Sequence, residues 1–209
     1  MKKEQRKRIV DRHRDSLTRF GYSSHALYWS STEIQEIRFK ALVEIGIEPG
    51  DSLLDVGCGF ADFKQWFEKQ VGSLDYTGID LSPDLLIEAK KRHPGVRLIE
   101  GDLFDMTFAE QEFDWVILSG ALNEQLNDDG AYAHRVIERM YALCQKGVAF
   151  NLLDARYLKA HDLQSHQPEE LLTYCRSLCP DCTLQDDYLK NDFTIYMRRL
   201  PATAEQLMS

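Results

Sequence analysis

The sequence lacks any apolar run long enough to span a bilayer, which would need about 20 consecutive apolar residues. It also lacks internal repeats and low-complexity tracts. Residues 1–8 are basic but are not followed by an apolar stretch, which excludes a secretory signal. Glu4, Asp11 and Asp15 argue against a mitochondrial presequence. We therefore expect a cytoplasmic protein that does not act at a membrane.

Cysteine is scarce, with five residues in 209, and an odd number of thiols favours reduced cysteines over a disulfide framework. Cys179 and Cys182 form a CxxC pair close to Cys175, and His161 or His166 could complete a zinc site. A further ligand at the usual spacing is missing, and the spacing of Cys175 and Cys179 fits one face of a helix. We predict no bound metal.

The net charge is −9, and positive charge is concentrated in residues 1–19. The rest of the chain is strongly acidic, which disfavours a nucleic-acid partner and favours a small-molecule substrate. For the basic segment we favour a solvated helix end over a contact with RNA or an acidic lipid surface. A chain of 209 residues is long enough for one domain with a substantial core.

The chain is organised around residues 52–62, Ser-Leu-Leu-Asp-Val-Gly-Cys-Gly-Phe-Ala-Asp. A short apolar run that ends in two glycines spaced by one residue predicts a buried strand turning into a helix. Glycine there permits positive φ and lets a ligand approach the backbone. Asp55 would repel a pyrophosphate but suit an ammonium or sulfonium group. The motif therefore points to S-adenosylmethionine (SAM) rather than NAD or ATP.

Residues 53–59 resemble the first motif of the class I SAM-dependent methyltransferases. Ala61 stands where that family commonly has a third glycine, a substitution that adds little bulk. The resemblance implies SAM as the cofactor and S-adenosylhomocysteine as the product. It also implies that residues of the turn contact the cofactor, namely Asp55, Gly57, Cys58 and Gly59.

Two later acids extend the resemblance. Asp80 ends a predicted strand at residues 76–81, where a carboxylate can accept hydrogen bonds from both ribose hydroxyls. Gly101-Asp102-Leu103 follows a predicted strand at residues 96–101 and resembles the family's third motif, in which the acid faces the adenine amino group. The predicted cofactor residues here are Asp80, Leu81, Asp102 and Leu103.

Residues 113–120 form the most apolar predicted strand and resemble the family's fourth motif, at which the methyl group meets its acceptor. Neither an Asn/Asp-Pro-Pro-Tyr nor a Pro-Cys sequence follows, so two families of nucleobase-directed enzymes are not indicated. A metal cluster of the catechol type is not evident either. Ser119 is a predicted cofactor contact, whereas Asn123 and Glu124 could touch substrate or lie in a solvated loop.

Two further cofactor contacts are predicted before the first motif. Arg38 lies in a helix predicted from Ser30 or Ser31 to Ile45 and could bind a carboxylate bidentately; alternatively, it is a surface residue or pairs with an acid elsewhere. Trp29 belongs to an aromatic loop at residues 21–31, which is either a substrate lid or a packed segment.

The acceptor side of the reaction is less defined by the sequence. Tyr22 and Tyr28 could join Trp29 as walls for a cationic or planar substrate. The histidines that we consider as general bases cannot be ranked, and the catalytic residues stay unassigned: His25, His134 and His161.

Five predicted strands, the last at residues 148–153, alternate with helices and precede a hairpin with strands at residues 183–189 and 193–198. The resemblance implies a doubly wound, seven-stranded, Rossmann-like α/β sheet with one antiparallel strand. We expect a helical lid segment at residues 1–31, a SAM-binding domain at 32–199 and a tail at 200–209. The ligand should lie outside the carboxyl ends of the first and fourth strands.

Three alternatives stay open. The acceptor could be RNA or a protein, and its reacting atom is not indicated. An NAD-dependent oxidoreductase is disfavoured, because Asp62 occupies the position of the third glycine in Gly-x-Gly-x-x-Gly. A protein that binds SAM or S-adenosylhomocysteine without catalysis would have the same motifs. The oligomeric state is not indicated by the sequence.

Overall fold

The computed structural model describes residues 1–158 and 162–200. Within them, seven strands form one sheet in the order β3-β2-β1-β4-β5-β7-β6, and only β7 runs antiparallel to its neighbours. The strands are β1 (Ser52–Val56), β2 (Asp75–Asp80), β3 (Arg97–Glu100), β4 (Phe113–Ser119), β5 (Cys144–Leu153), β6 (Cys182–Gln185) and β7 (Asp192–Arg198). This order confirms the predicted doubly wound sheet with one antiparallel strand.

Helices connect the strands and cover both faces of the sheet. They are α1 (Lys3–Phe20), α2 (Thr32–Val43), α3 (Asp62–Gln70), α4 (Pro83–Arg92), α5 (Ala131–Leu143) and α6 (Pro168–Leu178). Short 3₁₀ turns form at Ser24–Leu27 and Leu103–Asp105. None of the helices in the described ranges is long and apolar enough to cross a membrane.

Side-chain caps fix where two helices begin. Ser31 caps α2 by accepting a hydrogen bond from the backbone N–H of Ile34, at 3.3 Å. Ser82 caps α4 in the same way, with Pro83 at the first helical position. Because each cap follows a loop or strand that borders the site, the caps also fix the direction in which these segments leave it.

The core lies on both faces of the central strands, because parallel strands covered by helices bury alternate side chains on opposite sides. Leu54 and Val56 pack under α5 and α6, whereas Leu53 packs with α2 and α3. The strand β4 lies in the middle of the sheet, and its residues Val116, Ile117 and Leu118 are fully buried.

The hairpin region differs from the expected boundaries. The strand β5 begins at Cys144, four residues before the predicted Val148, because it pairs with β4 and β7 despite exposed Gln145 and Lys146. The strand β6 ends at Gln185 and not at Leu189. The residues after it therefore form a loop that reaches the carboxyl edge of the sheet.

Some basic residues of α1, such as Lys3, Lys7 and Arg19, are exposed as the charge pattern predicted, but three others are not simply solvated. They form ion pairs with acids on other elements: Arg6 with Asp102 at 3.1 Å, Arg12 with Glu124 at 2.9 Å and Arg14 with Asp84 at 2.9 Å. In this way the acidic body binds the basic helix across the edge of the sheet.

Candidate cofactor and acceptor site

A cavity of about 440 Å³ lies at the carboxyl edge of the sheet. Its walls come from the ends of β1, β2 and β4, the loop before β7, the helix α1 and the loop at residues 21–31. The volume is typical of small-molecule pockets. The position, across the carboxyl ends of the first and fourth strands, is the one that the sequence predicted.

The glycine turn after β1 forms one wall. Gly57 has φ 76° and Gly59 has φ 53°, values that glycine adopts without strain. The N–H groups of Gly57 and Cys58 both donate to the carbonyl oxygen of Ile79, at 2.8 and 3.0 Å. A side chain at Gly57 would also lie only 2.3 Å from Cβ of Ala121. The turn is thus held between β2 and the loop after β4.

Asp80 stands at the end of β2 with both carboxylate oxygens held by backbone groups. Oδ2 accepts from the N–H of Gly59 at 2.9 Å, and Oδ1 accepts from the N–H of Ser82 at 2.8 Å. An ionised carboxylate has about four lone-pair sites, so each oxygen can still accept a ligand hydroxyl. Asp80 lines the cavity in a fixed orientation suited to that role.

Asp102 lies deeper in the same wall and is 2% exposed. Oδ1 accepts from the N–H of Phe104 at 3.2 Å, and Oδ2 receives a hydrogen bond from Nη2 of Arg6 at 3.1 Å. Arg6 also binds Asp105, at 2.5 Å from Nη1. Arg6 of α1, which is not among the predicted site residues, therefore contacts Asp102, the acid predicted to face adenine.

Arg38 is fully buried and lines the cavity beside Trp29 and Asp192. Its guanidinium lies 4.5 Å from the centre of the Trp29 ring, and Nη2 lies 3.0 Å from Oδ1 of Asp192. The contact with Asp192 lacks hydrogen-bond geometry, and Nε has no partner. Burial lowers the pKa of Arg38, and the charge of Asp192 opposes that effect. Of the alternatives predicted for Arg38, the structure therefore shows the one in which it faces an acid from elsewhere in the fold.

Residues 53–147 match the family model of a methyltransferase domain. Over 157 residues the chain is 28% identical to a protein of Mycobacterium tuberculosis named as a methyltransferase. The aligned region covers 71% of this chain and 93% of that protein. These matches identify a methyltransferase domain of the class I SAM-dependent type at residues 53–147. A demethylmenaquinone methyltransferase of Staphylococcus aureus is 33% identical over 89 residues, and this match spans only 37% of that enzyme.

Solved structures agree with the fold of this methyltransferase. A SAM-dependent methyltransferase of Archaeoglobus fulgidus superposes with a TM-score of 0.64 at 13% identity, covering 81% of this chain and 95% of that one. Magnesium protoporphyrin IX methyltransferase of Synechocystis, solved with bound SAM, gives 0.59 at 17% identity, covering 79% of each chain. At such identities the likeness concerns the fold alone.

Most of the residues predicted to contact the cofactor line the methyltransferase pocket: Trp29, Arg38, Gly57, Gly59, Asp80, Leu81, Asp102, Leu103 and Ser119. Asp55 and Cys58 are the exceptions. The Asp55 carboxylate accepts a hydrogen bond from the hydroxyl of Tyr76 at 2.6 Å and is buried below the turn. Cys58 packs in the apolar core, where burial raises the pKa of its thiol.

Asp55 should make the stability of the methyltransferase depend on pH. Burial raises the pKa of Asp55 from 3.8 to about 7, so between these values the folded state holds a proton that the unfolded state has lost. Stability therefore falls as pH rises through this window. Asp55→Asn cannot titrate and can still accept from Tyr76, so we expect the pH slope to be reduced. Urea unfolding at about pH 4 to 8 measures it.

The control for this experiment is Asp75→Asn, because Asp75 is exposed at the start of the neighbouring strand. The control should keep the wild-type slope. Equal slopes in the wild type and Asp55→Asn would show that the Asp55 carboxyl does not hold its proton in the folded state.

The histidines that the sequence suggested as bases do not meet in the site. His25 is exposed, with Nδ1 3.0 Å from the carbonyl oxygen of Trp29, and His134 stacks on Tyr174 at 4.0 Å. Neither lines the pocket. His161 lies outside the described residues.

His13 is the histidine that sequence reasoning missed. It lies on α1 and lines the pocket, and its Nδ1 is buried without a hydrogen-bond partner. The ring centre lies 5.8 Å from that of Tyr28, which also lines the pocket. The sequence offered only the residue type as a sign that His13 belongs to the site, because no local pattern predicts that α1 packs over the edge of the sheet.

The polar residues after β4 are anchored to neighbouring elements. Ser119 donates from Oγ to Oδ1 of Asn151 at 2.8 Å, and Glu124 pairs with Arg12. Tyr22, the third predicted aromatic wall, donates instead to Asp62 at 2.7 Å and lies outside the pocket lining. Of the three predicted aromatic walls, Tyr28 and Trp29 therefore line the pocket, and Tyr132 of α5 lines it as well.

Proposed function

We propose that the chain binds SAM in this pocket and transfers the methyl group to a small molecule. The observation that carries the proposal is the position of Asp80. Its carboxylate is oriented by Gly59 and Ser82 and faces a cavity that runs along the sheet edge. A nucleoside needs such a fixed acceptor for its two ribose hydroxyls.

The other predicted residues would contact successive parts of SAM, in the order in which their strands lie in the sheet. Asp102 and Leu103 would hold the adenine beyond β2, and Asp80 with Leu81 would hold the ribose. The glycine turn would approach the methionyl part, with the buried Arg38 available for its carboxylate. Arg38 fits this role because its Nε is buried without a partner.

SAM, when bound, supplies an electrophilic methyl group on a sulfonium that leaves as a neutral thioether. The chain then has to hold the acceptor in line with that bond and to exclude water. The packed α1 helix and the loop at residues 21–31 form the walls that would do so. A general base is needed only for an acceptor that loses a proton, and among the described histidines His13 is the one that lines this pocket.

A small-molecule acceptor is favoured over RNA or protein by the shape and charge of the site. The acceptor end is a concave pocket rather than an open groove across the surface. The basic residues Arg6, Arg12 and Arg14 are engaged with acids of the same chain and are not a free patch for phosphates.

Native mass spectrometry of the purified protein before and after addition of SAM tests the cofactor. We expect a mass gain equal to SAM or S-adenosylhomocysteine, and no gain with NADH. A folded protein that binds NADH and not SAM would overturn the proposal. Turnover with a panel of methyl acceptors then separates an enzyme from a protein that only binds the nucleoside.

A further inference from the structure

The acceptor half of the pocket can be separated from the cofactor half by strand order. Asp102 and Asp80 mark the side of β3 and β2, whereas β4, β5 and the loop before β7 bound the opposite side. Neighbouring strands lie about 4.8 Å apart, so this second side is several strands away from the adenine end. A methyl acceptor has to approach from there.

The lining of this half is mainly apolar. Its apolar members are one aromatic ring and five aliphatic side chains: Trp29, Ile34, Leu153, Leu158, Leu163 and Leu189. Polar residues such as Ser119, Asn123 and Asn191 line it beside them. Gly120 leaves room for the ring, because a Cβ there would lie 2.9 Å from Cη2 of Trp29. Such a surface gains free energy by covering apolar area and offers a flat face for stacking.

Four of the charged side chains that the structure describes in this half form two pairs. Arg38 faces Asp192 at 3.0 Å, and Arg12 faces Glu124 at 2.9 Å. Lys190 also borders the cavity, but it is exposed. Binding of the methionyl part of SAM would not change the net charge in this half, because that part carries one carboxylate and one ammonium.

We infer that the acceptor is an uncharged, largely apolar and planar small molecule. This inference rests on the proposed function and names the substrate class of that site. A charged acceptor would lose its hydration and, among the residues that the structure describes and apart from the exposed Lys190, meet only charges that already face an opposite charge. An uncharged ring would cover the leucines and contact Trp29 without disturbing the Arg12–Glu124 pair.

The test uses three probes that share one ring system and differ in charge. They are 2-naphthalenemethanol, 2-naphthoate and protonated 2-naphthylmethylamine, titrated by calorimetry into the protein saturated with S-adenosylhomocysteine. We expect the alcohol to bind at least about fivefold more tightly than either ion. A smaller preference, or no binding of the alcohol, would overturn the inference.

A charge change inside the compartment sharpens the test. Glu124→Gln leaves Arg12 without its counter-charge, and Arg12 has no proposed role in holding the cofactor. 2-Naphthoate should therefore bind this variant about tenfold more tightly than the wild type, while the alcohol changes by less than about threefold. Arg12→Gln is the reciprocal variant, because it leaves Glu124 unpaired and should tighten the binding of protonated 2-naphthylmethylamine instead. Unchanged naphthoate affinity in a folded variant would contradict the pairing argument.

The matched control is Asp186→Asn. Asp186 also pairs with an arginine, Arg156 at 2.5 Å, but neither residue lines the pocket. This variant should leave all three probe affinities unchanged. Absence of S-adenosylhomocysteine binding in the wild type would refute the proposed function itself, whereas its binding without discrimination among the probes would refute only the substrate class.

Discussion

Replacement of Asp80 by alanine should lower the affinity for SAM by at least about a hundredfold, or roughly 3 kcal/mol. The variant lacks the carboxylate that would accept hydrogen bonds from the two ribose hydroxyls of SAM. Hydrogen bonds to charged groups each contribute about 1.5–3 kcal/mol. The loss also frees the N–H groups of Gly59 and Ser82, which the carboxylate orients in the pocket wall. Calorimetric titration with SAM and with S-adenosylhomocysteine measures the effect.

Asp80→Asn is the conservative comparison, because it keeps the shape and one acceptor oxygen. We expect an intermediate loss of roughly tenfold. Asp75→Ala, an exposed acid at the other end of the same strand, should leave the affinity unchanged. Wild-type affinity in Asp80→Ala would show that the nucleoside does not bind at the end of β2.

Gly57→Ala should lower the free energy of unfolding by about 2–5 kcal/mol. A left-handed backbone costs a residue with a Cβ roughly 1–2 kcal/mol, and overpacking a filled site costs about 1–3 kcal/mol. Both apply here, since φ is 76° and the new Cβ would lie 2.3 Å from that of Ala121. Chemical denaturation gives the change, and SAM binding should be lost with the turn geometry.

Gly50→Ala separates the two contributions to that loss. Gly50 has φ 91° but no atom within 4 Å of the position that a Cβ would take. We expect it to cost only the backbone part, about 1–2 kcal/mol. Adding Ala121→Gly to Gly57→Ala should recover part of the difference. Equal destabilisation at Gly50 and Gly57 would mean that the contact with Ala121 does not matter.

The parts of the site that the sequence predicted are those encoded by local patterns. Apolar runs that end in glycine or aspartate identified β1, β2 and β4, and parallel strands bring their carboxyl ends to one edge. Successive side chains of a strand point to opposite faces, and Val56 lines the pocket. This alternation predicts that the side chain of Asp55 points away from the pocket. The Asp55 prediction followed the motif and not the alternation.

The parts that could not be predicted depend on long-range contacts. Arg6 lies 96 residues from Asp102 along the chain, and no local pattern connects them. Asp192 meets Arg38 because the antiparallel β7 inserts between β5 and β6 and brings the start of the strand back to the sheet edge. The spacing of residues along the chain does not predict such an insertion.

The ion pairs between α1 and the sheet edge have a kinetic consequence. Arg6 and Arg12 are both about 31% exposed, and attraction between partly exposed charges weakens as ionic strength rises. The helix lines the cavity, so its detachment widens the path through which a nucleoside leaves. Dissociation of S-adenosylhomocysteine should therefore quicken with added salt, and the methyltransferase would turn over at a rate set by the residence time of its product.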